Sequence, residues 1–151
     1  NESLSQLKNI YYSSTHVPLF KGSLNILKRL KKKYLLALIT DGNELHQFNK
    51  IYLSGILKLI KPRNIIINSK KRDMKPSRIS YQKIISLNNL DPVKSFYIGD
   101  NPKKDFMGAK KLGFRTIRII QGKNKLVKKN KYIDYEIKGI KYINTLLKKI
   151  K

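Results

Sequence analysis

The chain has 151 residues, room for one compact α/β domain, and its 40% hydrophobic content rules out wholesale disorder. Lys and Arg number 34 against 9 Asp and Glu, a formal net charge of +25. Cysteine is absent and the only histidines are His16 and His46, which excludes disulfide scaffolds, thiolate zinc sites, a cysteine nucleophile and a multi-histidine metal site.

The charge invites a nucleic-acid reading, but the composition points to a plainer source. The sequence holds 28 Lys, 21 Ile, 13 Asn and 9 Tyr, the amino acids with A/T-rich codons. Only 6 of the basic residues are Arg, the preferred reader of bases and phosphates. The lysines are scattered through every segment, without the interleaved aromatics of a single-strand platform. The expectation is therefore non-specific, salt-sensitive adhesion to nucleic acid. No stretch approaches the roughly 18 to 20 apolar residues that span a bilayer, and no secretory signal pattern is visible, so no membrane partner and a cytoplasmic location are expected.

In chain order, residues 2–14 read as a helix. Phe20-Lys21-Gly22-Ser23 opens a second, with Ser23 as N-cap and Leu24, Leu27, Leu30 and Tyr34 as its apolar stripe. Residues 35–39 form a continuous apolar run, as in a strand covered on both faces. Thr40-Asp41-Gly42-Asn43 turns into a helix with Leu45, Phe48 and Tyr52 on one side. A second strand is expected over 65–67, then a polar loop with Lys75-Pro76, then a helix over 78–88 with Ile79, Ile84 and Leu87 as apolar positions. A third strand covers 95–98. Gly99-Asp100-Asn101-Pro102 then opens a helix that Asn101 can cap and Gly113 can end. A fourth strand spans 115–120. A Lys/Asn-rich loop, a short strand at 134–137 and a basic helix over 139–149 complete the pattern. Strands alternating with helices imply a parallel sheet wound on both faces, with functional residues just beyond the carboxyl ends of the strands.

Three segments there carry chemistry. Asp100 follows a strand through Gly99, and Asp105 is expected one helical turn on, leaning back toward it. Two carboxylates at a strand end suit Mg²⁺, which takes few carboxylates and keeps waters and a phosphate oxygen. By itself the pair is better read as acidic residues facing a helix N-terminus. Thr40, with the backbone N–H groups of Asp41 and Gly42, can bind phosphoryl oxygens, or form a plain strand-to-helix turn capped by Asn43. Lys75 precedes a proline that biases it toward an extended conformation, which can aim its ammonium into a site.

The order of these pieces resembles motifs two, three and four of the haloacid dehalogenase-like (HAD) hydrolase superfamily. The segments are Leu38-Ile39-Thr40-Asp41-Gly42-Asn43, Met74-Lys75-Pro76-Ser77 and Tyr97-Ile98-Gly99-Asp100-Asn101-Pro102-Lys103-Lys104-Asp105, followed by Gly108-Ala109-Lys110-Lys111-Leu112-Gly113. The resemblance runs from about Phe20 to Tyr142 and is nearest to phosphatase-like members with a helical cap. It implies a Rossmann-like, doubly wound core over 20–151, with residues 1–19 as the tail of the cap.

The resemblance further implies a Mg²⁺-dependent phosphatase acting on a small phosphorylated metabolite through an aspartyl-phosphate. Asp100 and Asp105 would serve the metal, Thr40, Asp41, Gly42 and Lys75 the phosphate, and Thr40 and Lys75 would act in catalysis. One departure stands out: the family's first motif, Asp-x-Asp-x-Thr, which carries the nucleophile, is absent, and no DxD occurs in the chain. The expectation is an N-terminally truncated chain. Its core would lack the first strand, which would sit mid-sheet between the Thr40 and Asp100 strands. A catalytically inactive relative and a basic nucleic-acid-binding α/β module are the alternatives.

Overall fold

Five short strands organise the computed structural model, which describes residues 19–150. The helix expected over 2–14 lies outside these residues, as does all but the last residue of the expected cap tail. Strand β1 (Leu38–Asp41) pairs in parallel with β2 (Ile65–Asn68), Thr40 standing opposite Ile67 and Asp41 opposite Asn68. A second parallel sheet has the order β3 (Phe96–Gly99), β4 (Arg115–Ile119), β5 (Tyr135–Ile137), with Gly99 opposite Arg118. The mixed α/β architecture with parallel strands is the one expected.

Helices cover both faces. On one face, α1 (Ser23–Lys31) and α5 (Ile143–Lys149) bury Ile26, Leu30, Ile143 and Leu147 against Ile117 and Ile137. On the other, α3 (Ile79–Asn88) and α4 (Phe106–Lys111) bring Tyr81 and Ala109 together beside Phe114. Strand side chains alternate between faces. Phe96 and Ile98 therefore join the first cluster, and Tyr97 the second.

The two sheets do not pair with each other. Between β1 and β3 lies an apolar cavity of about 430 Å³, lined by Leu36, Ala37 and Ile39 on one side and Phe96, Tyr97 and Ile98 on the other. Leu30 and Leu147 close it from one layer, and Tyr81 and Ile84 from the other. Among the described residues each sheet thus presents an unpaired edge to the gap, at the place where the resemblance puts a further strand.

The elements differ from expectation in detail. The first strand begins at Leu38 instead of 35, because residues 35–37 precede the point where Ile65 provides a partner, and they line the cavity. Gly22, at φ 83°, takes the cap position of α1, and Ser23 is its first helical residue. That helix buries Ile26 and Leu30, a face rotated from the expected stripe toward the β4–β5 sheet. Helix α2 (Glu44–Leu53) is capped by Asn43, but it buries Ile51 and leaves Leu45, Phe48 and Tyr52 exposed. In α3, Ile84 is buried as expected, whereas Ile79 and Leu87 are exposed and Ser80 and Tyr81 are inside.

Candidate active site

The carboxyl ends of β1, β2 and β3 gather the polar residues of the site. Asp41, the last residue of β1, is buried, its side chain 6% exposed, and Asn43 caps α2. Asp41 Oδ1 accepts from Asn68 Nδ2 at 2.9 Å and from the Lys75 backbone N–H at 3.3 Å. Its Oδ2 makes no hydrogen bond and faces the Lys104 ammonium at 3.6 Å. Asn68 is fixed in turn by Ser80, whose hydroxyl donates to Asn68 Oδ1 at 2.6 Å.

Lys75 crosses from this cluster to the other sheet. Its side chain is 10% exposed, and its Nζ lies 3.0 Å from Asp105 Oδ1 and 3.4 Å from the Tyr97 hydroxyl. The Lys75–Pro76 bond is cis. The loop can press against α4 only because residue 108 is glycine: a Cβ there would stand 2.6 Å from the Pro76 carbonyl and 2.9 Å from that of Ser77.

Asp105 sits just before α4, which starts at Phe106. Asn101 does not cap the helix as expected, because the helix starts five residues later; its Oδ1 accepts from the Lys103 N–H at 3.0 Å in the short turn that precedes it. Asp105 Oδ2 turns back to accept the backbone N–H groups of Asp100 at 3.1 Å and Asn101 at 2.8 Å. Gly99 makes room for it, since a Cβ at 99 would lie 2.8 Å from that oxygen. The Tyr81 hydroxyl donates to the Asp105 carbonyl at 2.7 Å. Asp105 therefore shapes the Asp100 turn and holds Lys75.

Asp100 itself is exposed, with Oδ2 accepting from Asn124 Nδ2 at 2.7 Å. The Thr40 hydroxyl donates to Gln47 Oε1 at 3.0 Å. The Gly42 N–H donates to the Asn68 carbonyl at 3.0 Å, prolonging the β1–β2 ladder, so it is engaged within the chain. Of the residues singled out from sequence, the fold brings Asp41, Lys75, Asp100 and Asp105 into one connected network. Thr40 borders it through Asp41.

Burial pushes the Tyr97 phenol well above its ordinary range, and the neighbouring Tyr81 and the Asp105 and Asp41 carboxylates push it further. Burial likewise raises Tyr81. Both stay neutral, Tyr97 accepting from the Lys75 ammonium and Tyr81 donating to the Asp105 carbonyl. Asn68, Ser80 and Asn124 lie in no motif segment, and Tyr97 and Lys104, though inside the segment around Asp100, carry no role in the sequence reading. Only Asn68, a polar residue closing an Ile-Ile-Ile strand, left a sequence signal.

The donor set is all hard oxygen. Three of the chain's nine acidic residues stand here against Lys75 and Lys104, a locally acidic spot on a strongly basic chain. Asp100 offers an exposed carboxylate, which fits a divalent ion that takes one or two carboxylates and keeps waters. Among the described residues no group of three or more acidic or histidine side chains converges on one point.

The chain is 29% identical over 147 residues to a glyceraldehyde 3-phosphate phosphatase of Methanocaldococcus jannaschii, covering 94% of this chain and 63% of that protein. It thus spans less than two thirds of that relative. Its fold matches a 2-haloacid dehalogenase from Pseudomonas syringae, at TM-score 0.78 and 20% identity, over 99% of this chain and 61% of that one. It also matches a Bacillus subtilis chain assigned as a HAD-hydrolase and bound to magnesium, at TM-score 0.71 and 20% identity, over 85% and 56%. The family model for haloacid dehalogenase-like hydrolases matches residues 1–119, and with three of the family's motif segments joined in one network at the strand ends, the chain belongs to that family.

Proposed function

We propose that this chain forms the core of a Mg²⁺-dependent phosphatase for a small phosphorylated metabolite. The observation that carries this reading is the Asp41–Lys75–Asp105–Asp100 network at the strand ends. The similarity to a glyceraldehyde 3-phosphate phosphatase supports the substrate class.

In this reading Asp100 holds the metal ion, which neutralises charge between an attacking carboxylate and the phosphoryl group. Asp105 orients Asp100 through two backbone N–H groups and fixes Lys75 through its second oxygen. The Lys75 ammonium, with Tyr97 beneath it, offsets negative charge on the transferring group. Such a pre-aimed positive group contributes on the order of 10² to 10³ in rate. Thr40 binds a remaining phosphoryl oxygen, its hydroxyl leaving Gln47 to do so, while the Gly42 N–H stays on the Asn68 carbonyl. In this reading the attacking aspartate belongs to a segment outside these 151 residues, since no DxD occurs in the chain and an apolar gap separates β1 from β3. Attack by that carboxylate breaks the ester P–O bond, the metabolite leaves as its alcohol on taking up a proton, and water then cleaves the resulting aspartyl-phosphate to inorganic phosphate and the free carboxylate.

The test is phosphate release from a generic aryl phosphate with and without Mg²⁺. The 151-residue chain should release none. Joined to an upstream strand ending in Asp-x-Asp-x-Thr, it should become a Mg²⁺-dependent hydrolase. Asp100→Asn and Lys75→Ala should then each cost at least about tenfold. An extended protein that stays inactive, or one indifferent to Asp100→Asn, would overturn the reading.

A further inference from the structure

The loop joining β4 to β5 is built onto the site by contacts that its own composition does not require. Arg118 lies in β4 beside Gly99 and is only 2% exposed. Its Nη1 donates to Glu136 Oε1 at 2.8 Å, and its Nη2 to the carbonyls of Asn124 at 3.0 Å and Val127 at 2.7 Å. A guanidinium presents several donors in a rigid planar fork, so one buried side chain fixes two points of a Gly/Lys/Asn-rich loop. A third point is Asn130, whose Nδ2 donates to the Pro102 carbonyl at 2.6 Å. The loop is thus fastened to the sheet and to the turn that carries Asp100.

Asn124 is what the fastening delivers. Its Nδ2 donates to Asp100 Oδ2 at 2.7 Å. Asp100 is exposed, so packing does not choose its rotamer. A single donor on one oxygen does, and it leaves Oδ1 for another ligand. The neighbours Lys123 and Lys125 show what the alternative would be. An ammonium at 124 would also hold the carboxylate, but it would cancel the charge that a cation needs, whereas a neutral amide orients it without cancelling it.

We propose that Asn124 and Arg118 are positioning residues for the Asp100 carboxylate: Asn124 fixes its orientation for a divalent cation, and Arg118 holds the loop that presents Asn124. This rests on the reading of Asp100 as the cation ligand. Outer partners of metal ligands typically cost 10- to 100-fold in affinity when removed, and an exposed contact belongs at the lower end.

The experiment titrates the ¹⁵N-labelled 151-residue chain with Mn²⁺ and follows paramagnetic broadening of amide signals, which registers weak binding. Broadening centred on Asp100 and Asn101 is expected, and Asp100→Asn should abolish it. Asn124→Ala should need on the order of tenfold more Mn²⁺ for the same broadening, at an unchanged thermal midpoint. Lys128→Ala should change nothing. Arg118→Met should weaken Mn²⁺ binding similarly and speed tryptic cleavage after Lys123 and Lys125. If that variant does not fold, Asn124→Ala still decides. An unchanged Mn²⁺ midpoint in Asn124→Ala, with the signal lost in Asp100→Asn, overturns the positioning role and leaves the site standing. Broadening that misses Asp100 in the unmodified chain, or that survives Asp100→Asn, overturns the metal-site reading and this proposal with it.

Discussion

The Lys75 ammonium lies 3.0 Å from the Asp105 carboxylate, with both side chains at least nine-tenths buried. The pair joins the loop that packs against β1 to the turn that ends β3, so it links the two sheets across their gap. Removing one member of a buried ion pair leaves an uncompensated charge, at a cost of about 3 to 5 kcal/mol. Lys75→Met and Asp105→Asn should therefore each lower the urea midpoint by that amount of stability. Equilibrium unfolding measures it, and a loss under about 1 kcal/mol in both variants would show that the pair does not couple the sheets.

Gly99 should tolerate no side chain. A methyl group there overlaps the Asp105 carboxylate, which would have to give up its bonds to the Asp100 and Asn101 amides or push the turn outward. Gly99→Ala should cost about 1 to 3 kcal/mol, the range for overpacking. It should also shift the amide signals of residues 100 and 101 more than any others. A thermal midpoint equal to that of the unaltered chain would contradict the close approach.

Alkaline pH should destabilise the fold through its buried phenols. Tyr97 and Tyr81 are held neutral above the ordinary tyrosine value of 10.0, chiefly by burial. A raised acid pKa in the folded state gives stability that is fully present below the unfolded value and lost as pH rises past it. Stability should thus be level with respect to these groups up to about pH 10 and then fall. Phenolate absorbance should show a late step that coincides with unfolding. Tyr97→Phe should lessen the alkaline loss.

The unpaired edges of β1 and β3 should make the chain self-associate. Exposed strand edges template pairing with other chains, and a charge placed on such an edge opposes it. Light scattering of the 151-residue chain should rise with concentration. Ala37→Lys, at an exposed position lining the gap, should suppress that rise while leaving the circular dichroism unchanged. A monodisperse monomer that unfolds cooperatively would remove the edges as a liability.

How much of this was legible in the sequence depends on the range of the interaction behind each feature. Local signals read well. Asn43 caps α2, Gly113 follows α4 with φ +96°, and the Ile-Ile-Ile run is β2, because each depends on a few consecutive residues. The spacing of the Thr-Asp-Gly, Lys-Pro and Gly-Asp segments announced the family and the end of the sheet at which they meet.

Features decided by packing did not read. Leu45, Phe48 and Tyr52 look like a core face yet are exposed, since periodicity shows that a helix has two faces and not which one meets the sheet. Asp41 resembles a turn residue but is buried, because Asn68, Lys75 and Lys104 arrive from three other segments. The sequence by itself determined the parallel α/β class and the order of the elements, and it put forward Thr40, Lys75, Asp100 and Asp105 as candidates, all from local chemistry and motif spacing. Only the tertiary structure decided the Lys75–Asp105 pair, the apolar gap between the sheets and the Arg118–Asn124–Asp100 chain: Lys75 meets Asp105 across 30 positions and Asn124 meets Asp100 across 24, contacts that depend on how helices and loops pack.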